Sequence, residues 1–223
     1  MKRLPTRAPL SREAIFRAAL EILECEGLSA LSMRQVGAAL GVEAMSLYNH
    51  VPNKAALLDG IYERILETVA SAPRGASWPE YALHQGRALR EALAAHPAAL
   101  PIFASRPAVT PAALGRLEQS LAALRAGGLD PSGALTVLQV VFSFVVGHTT
   151  SCLGPRRADE HGEVDYAALD PYAYPHVREA SRELAGYDPE REFEIGLEAL
   201  VDGLQRRVES SAPSKPSKRA RKR

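Results

Sequence analysis

The stretch Leu31–Lys54, LSMRQVGAALGVEAMSLYNHVPNK, constrains the chain most, because its punctuation leaves room for little except two short helices set at an angle. Ser32 is an N-cap with Gln35 three residues on, the pattern of a capping box, and Leu31 and Val36 stand at the spacing of a hydrophobic staple. Val36, Ala39 and Leu40 predict an apolar face on the first helix. Gly41 falls where a helix C-terminus takes a left-handed residue. Val42 opens a second helix through Leu47 and Tyr48 to His50, and Pro52 blocks its continuation. Helix, glycine turn, helix is the helix-turn-helix unit, here over about residues 33–52. Its second helix is the one that enters the major groove of DNA.

The flanks support a compact head built around this pair. Ser11 caps a preceding helix, with Leu10 and Ile15 as its staple and Ile15, Ala18, Ala19, Ile22 and Leu23 at helical spacing until Gly27. Asn53 caps a following helix whose buried face is predicted as Leu57, Leu58, Ile61, Ile65, Leu66 and Val69; Pro73 and Gly75 end it. The head therefore spans residues 10–72. Ahead of it lies a basic arm, residues 1–9, with Lys2, Arg3 and Arg7. That arm is either a solvated terminus or a segment that meets phosphates or the minor groove.

Beyond Gly75 the signals stay helical, and no segment shows convincing strand alternation, so the fold expected is all-α. Ser77 and Glu80 form a second capping-box pattern at the start of a helix to about Ala95. Ala98–Ala104 is a short segment leading to Arg106-Pro107. Thr110-Pro111 and Asp130-Pro131 each place a cap before a proline at the first helical position. The first opens a helix carrying Leu114, Leu117, Leu121 and Leu124. The second opens the most apolar helix of the chain, from Leu135 through Val146, expected to be buried on every side by its own core and by a partner subunit. Residues 154–174 read as a polar loop and 175–185 as a short helix. The last helix, opened by Asp188-Pro189, carries Phe193, Leu197, Leu200, Val201 and Leu204, with Gly196 and Gly203 on a neighbouring strip open to close helix approach. Residues 73–209 form this second domain, and 210–223 is a basic tail of disordered composition.

At 46% apolar and 24% charged residues the chain can bury a core. No apolar run reaches the ~18 residues of a membrane span, and the basic N-terminus lacks the apolar region of a secretory signal. Cys25 and Cys152 lie far apart, as in a reduced compartment, and a cytoplasmic location is expected. The formal charge of +1 hides an asymmetry: residues 210–223 hold six basic and no acidic side chains, so the rest is net acidic. An acidic body argues against a protein that coats nucleic acid and allows one that binds through a small, focused surface.

The segment Ala14–Ile61 resembles the TetR family of bacterial one-component repressors, through Leu40-Gly41-Val42, Leu47-Tyr48, His50-Val51, Asn53-Lys54 and Leu57-Leu58. Ser77-Trp78, His96, Ser105-Arg106-Pro107 and Leu117-Glu118 extend the likeness to the ligand-binding domain of the tetracycline repressors. The resemblance implies a homodimer. Its N-terminal helices bind a near-palindromic double-stranded DNA operator. Its C-terminal domain holds a small-molecule inducer pocket and a dimer interface made from the helices near 131–152 and 189–208.

Carried across, the DNA-binding residues are Arg34, Ala44, Met45, Ser46, Tyr48, Asn49, His50 and Lys54. Ala44, Met45 and Ser46 open the recognition helix, where side chains meet base edges, and the first two have only apolar surface to offer a thymine methyl. Tyr48, His50 and Lys54 are placed to hold phosphates. Tyr48 has core packing as its second reading, and Arg34 and Lys54 have a solvated surface. The ligand-binding candidates are Gln85, Leu89, Ile102, Phe103, Arg106, Leu117, Leu121, Val141 and His148, each with plain core packing as the alternative. The tetracycline repressors hold a magnesium–drug complex through a histidine ahead of the Arg-Pro pair. Here that place is Ile102, a polar drug contact falls on Ala70, and a metal-facing acid falls near Ser151. An apolar pocket with a few polar groups is expected instead, with no metal and no cofactor. His148 and Cys152 share a helix face four residues apart, which is a packed pair or half of a soft-metal site. No phosphate loop or zinc-hydrolase motif is present, so no enzyme is expected. The reading is a ligand-responsive repressor. A carrier or enzyme with a vestigial DNA-binding head, and a nucleoid-type DNA binder using arm and tail, are the alternatives.

Overall fold

The computed structural model describes residues 10–106, 109–154 and 165–211. The basic arm, Pro107, Ala108, the polar stretch 155–164 and the tail from 212 on lie outside them. Ten α-helices and three short 3-10 turns form the described residues, with no strand among them.

The head holds α1 (Arg12–Glu26), α2 (Met33–Leu40), α3 (Ala44–Tyr48) and α4 (Lys54–Thr68). Its caps form from local sequence. The hydroxyl of Ser11 accepts from the Ala14 N–H, that of Ser32 from Gln35 N–H (3.2 Å each), and the Asn53 amide oxygen accepts from Ala56 N–H at 2.8 Å. The Ser32 box closes only on that side, because the Gln35 side chain donates across to Glu26 at 3.0 Å instead of returning to Ser32. Gly41 sits at φ 61°, ψ 36°, a left-handed backbone that a side chain would strain, and turns the chain from α2 into α3. The inward face of α2 is Met33, Val36, Gly37 and half-buried Leu40, whereas Ala39 faces solvent. The i, i+3, i+4, i+7 face begins at Met33, one turn earlier than the three apolar residues used to predict it. On α4, Leu57, Ile61 and Ile65 are buried, and Leu58 and Leu66 are half-buried.

The second layer packs α5 (Trp78–Ala94), α6 (Leu100–Ser105), α7 (Pro111–Ala126) and α10 (Pro189–Ser211) around α8 (Pro131–Leu153); α9 (Pro175–Ser181) lies over the turn Tyr166–Ala168. Glu80 reaches back to the Ser77 N–H at 2.8 Å and accepts from its hydroxyl, completing the box that starts α5. Thr110 and Asp130 cap α7 and α8 by accepting from the Ala113 and Gly133 N–H groups. On α7 the inward positions are Ala113 and Leu124, while Leu114 is 49% exposed.

By length and mean hydropathy of 1.4, α8 is apolar enough to cross a bilayer, but here it is the helix on which the others pack. One face, Ala134, Val137, Val141, Val145, Val146 and Thr149, is buried. Leu135 and Leu153, with Ile195 of α10, stay open. Within one protomer α8 is therefore not covered on every side. A Cβ at Gly196 would lie 2.6 Å from the Phe144 ring, so this glycine sets the approach of α10 to α8, whereas Gly203 meets nothing within 4 Å.

An ion-pair clamp fixes α10 to α5. Arg90, 4% exposed, donates through Nε at 3.0 Å and Nη2 at 2.5 Å to Glu190, and its guanidinium stacks 4.5 Å from the Phe193 ring centroid. Arg87 grips Glu194 and Glu198 one turn further on. The hydrogen bond from Arg90 holds the Glu190 carboxyl below the usual carboxylate range. A carboxylate depressed on folding stabilises the fold above its unfolded pKa, about 4.3, and loses that contribution as pH falls through its lower folded value. Glu190→Gln is expected to cost ~1 kcal/mol at pH 7, since the carboxylate side is open to solvent, or roughly 2–4 °C in melting temperature. Melting curves of both proteins should converge as the pH is lowered past that window; a gap that persists in acid would refute the charge contribution.

Candidate functional site

Two places carry the candidate residues. The first is the outer surface of α2, α3 and the start of α4. Leu47 and Val51 are fully buried and fix α3 against the head. Gly37 lets the two helices meet, since a Cβ there would stand 3.0 Å from the Val42 carbonyl and 3.2 Å from the Ala44 N–H nitrogen. The residues between are therefore presented on a rigid support. Arg34, Asn49 and Lys54 are exposed, Met45 is 73% and Tyr48 43% exposed, and Ala44, Ser46 and His50 are half-buried. None of the eight candidates is buried. The exposure of Tyr48 removes core packing as its role.

The second is a cavity of about 380 Å³ between the head and the second layer, within the ~300–1,000 Å³ of small-molecule sites. Tyr62, Leu66 and Val69 come from the end of α4; Tyr81, Ala82, Gln85 and Leu89 from α5; Arg106 from the end of α6. Ala113, Arg116, Leu117, Ser120 and Leu124 come from α7, and Val137, Leu138, Gln139, Val141 and Phe142 from α8. Three of its polar side chains are bonded to α4 or the residues beside it. Arg106 pairs with Asp59 (Nη2–Oδ1 2.5 Å, Nε–Oδ1 3.0 Å) and donates to the Ala55 carbonyl at 3.2 Å. Arg116 donates to the Val69 carbonyl at 2.9 Å, and Gln85 to that of Ala70 at 3.0 Å. The cavity wall is thus wired to both ends of the helix that leaves the head.

Of the nine ligand-binding candidates, Gln85, Leu89, Arg106, Leu117 and Val141 line this cavity. Ile102 and Phe103 are buried behind it, and Phe103 stacks on the wall residue Tyr62 with centroids 4.3 Å apart. Leu121 is turned away to pack half-buried against the core. His148 lies elsewhere, on the side of α8 that faces α10. Sequence reasoning missed Tyr62, Tyr81, Arg116, Ser120 and Gln139. A polar pair four residues apart, Arg116 and Ser120, interrupting a leucine strip was the one signal for any of them.

Around His148 the structure adds partners that sequence spacing could not supply. Arg90 Nη1 lies 3.2 Å from His148 Nδ1, and His148 Nε2 lies 3.4 Å from Glu192 of α10. His148, Cys152 and Glu192 offer ligand atoms within 4.8 Å of one another. The Arg90 contact makes Nδ1 an acceptor, which puts the ring proton on Nε2, toward Glu192. Glu192 in turn accepts from the Tyr187 hydroxyl, a bond that holds its carboxyl below the usual range and pushes the phenol up. The cluster closes as hydrogen bonds, and a cation placed in it would face the buried Arg90 guanidinium.

Comparison with known proteins matches residues 15–61 to the model of bacterial regulatory proteins of the tetR family, and residues 72–208 to the tetracyclin repressor-like C-terminal domain. The HTH-type transcriptional repressor DrrR1 of Streptomyces coeruleorubidus is 31% identical over 232 residues, covering 94% of this chain and 85% of the relative. The class A tetracycline repressor from transposon 1721 of Escherichia coli is 32% identical over 206 residues, covering 89% and 92%. The crystal structure of apo ActR from Streptomyces coelicolor superposes with a TM-score of 0.76 at 30% identity, covering 92% of this chain and 99% of that one. Among the described residues the cavity wall carries no histidine, aspartate or glutamate. Ile102, where the resemblance sets the metal-binding histidine, is buried and apolar.

Proposed function

The chain belongs to the TetR family, whose members are ligand-responsive transcriptional repressors that bind DNA operators and small molecules and act as dimers, and from that premise we propose how this member works. It represses from a near-palindromic operator, with one α3 of the dimer in each of two major-groove segments about one helical turn, ~34–36 Å, apart. Arg34, Tyr48, His50 and Lys54 hold phosphates; Ala44, Met45, Ser46 and Asn49 meet base edges. Because Ala44 and Met45 offer no hydrogen bond, sequence choice leans on thymine methyls and on Asn49, and the operator differs from that of the tetracycline repressors. The open faces of α8 and α10 form the dimer contact. The protein works in the cytoplasm, on the nucleoid when bound to DNA.

The observation that carries the reading is the wiring of the cavity to α4. A small apolar or amphipathic inducer seated among Leu66, Leu89, Leu117 and Val141 contacts the groups that hold Asp59, Val69 and Ala70. A ligand that fits one setting of α4 better than another shifts the dimer toward that setting, by no more than its difference in affinity. The setting preferred with ligand spaces the two recognition helices wrongly for one DNA turn.

The test is a reporter fused to the intergenic DNA upstream of the chain's own coding sequence. Deleting the chain should raise expression, restoring it should lower expression, and a variant with Tyr48→Ala and Lys54→Ala should fail to do so. Expression that does not respond to the chain would overturn the repressor reading.

A further inference from the structure

We infer that the cavity takes an organic acid: a ligand with an apolar body and one anionic group, held by Arg116. The inference deepens the proposed function and rests on its reading of the cavity as the inducer site. Two guanidinium groups reach the wall. The charge of Arg106 is met by Asp59. Arg116, half-buried on α7, uses one N–H on the Val69 carbonyl, and no carboxylate among the described residues lies within ion-pair distance of it. With no acidic residue on the described wall, the cavity is a largely apolar space in which one positive charge meets no anion among the described residues.

A guanidinium in such a place is costly unless an anion faces it. It keeps free donors in a fork that matches a carboxylate or sulfonate. Ser120, one turn along α7, and Gln139 on α8 offer further donors to the same group. The remaining wall, Leu66, Leu89, Val141 and Phe142, suits a hydrocarbon or aromatic body. Arg116 also holds the Val69 carbonyl, so the feature that selects the ligand touches the C-terminal end of α4 as well.

The test uses two fluorescent probes that share one skeleton. 8-Anilinonaphthalene-1-sulfonate carries the anion and N-phenyl-1-naphthylamine lacks it. The full chain should bind the sulfonate roughly tenfold or more tightly than the neutral amine, the effect of one charge-assisted hydrogen bond or more. Arg116→Gln should bring the ratio close to one by weakening the sulfonate alone, whereas Arg87→Gln, on the far side of α5 where Arg87 pairs with Glu194, should leave it in place. Ser120→Asp, which supplies Arg116 with an internal carboxylate and keeps its bond to Val69, should cancel the preference by a second route and serves if Arg116→Gln does not fold. Leu117→Trp, which fills the cavity, should weaken both probes and so locates them. A ratio near one in the unaltered chain, or one that survives both Arg116→Gln and Ser120→Asp, overturns the acid ligand while leaving the cavity as a ligand site. Binding of neither probe, or binding that Leu117→Trp does not change, overturns the cavity reading as well.

Discussion

Leu47→Ala is expected to remove operator binding and to lower the melting temperature by roughly 4–20 °C. Leu47 is fully buried and is the one buried residue of α3. That helix has five residues, and its N-cap Glu43 makes no side-chain cap bond. A helix so short has no stability of its own in water and stands only by packing. Truncating a buried leucine costs ~2–5 kcal/mol, at about 2–4 °C per kcal/mol in a chain of this size. Here the void opens directly beneath the surface proposed to meet DNA. Met45→Ala is the contrast. With 73% of the side chain exposed, its loss should leave stability within ~0.5 kcal/mol and change only which bases the protein prefers. Melting by circular dichroism, paired with anisotropy on labelled DNA, separates the two effects. Full affinity in Leu47→Ala would mean that α3 is not held as described.

Gly60→Ala carries the second large effect, and its sign is the informative part. By helix propensity alone, alanine inside α4 should stabilise by ~1 kcal/mol. In the structure a Cβ at Gly60 would lie 2.1 Å from Cε1 and 2.3 Å from Cζ of Phe16, whose ring lies in the core between α1 and α4. The ring must move by more than an ångström, and overpacking of this kind costs ~1–3 kcal/mol. The head should therefore be destabilised, with weaker DNA binding following from the shifted α1. Removing the obstacle reverses the sign. In a Phe16→Ala background the new methyl enters a vacated space, and the double-mutant cycle should give a coupling of ~1 kcal/mol or more. Gly60→Ala that stabilises the unaltered chain would contradict the packing of α1 on α4.

How much of this was legible in the sequence depended on how local each feature is. Ser11, Ser32, Asn53, Thr110 and Asp130 all cap as their spacing predicts, because cap and N–H donor lie three residues apart. Gly41 adopts the left-handed turn for the same reason. The failures begin where a distant group competes. Gln35 prefers Glu26 over its own cap, and Leu114 faces out because the strip on α7 is turned toward Ala113 and Leu124. The cavity was half legible. Gln85, Leu89, Arg106, Leu117 and Val141 reach it, but its wall draws on several helices whose rotation about their axes no single segment encodes. Arg116 was missed because a charged residue in an amphipathic helix reads as solvent-facing until the neighbouring helix is in place. His148 was misplaced because Arg90 and Glu192, its partners from α5 and α10, are far away in the chain.

Repression as proposed requires specific DNA binding by the head. The direct measurement is the affinity of the full chain for its own upstream intergenic DNA against random DNA of equal length at the same salt concentration, with footprinting of the bound site. The predicted result is specific binding at least ~10³-fold tighter. It should show two protected half-sites about one turn apart and an affinity that falls linearly with salt on logarithmic axes. Equal affinity for both DNAs would contradict it.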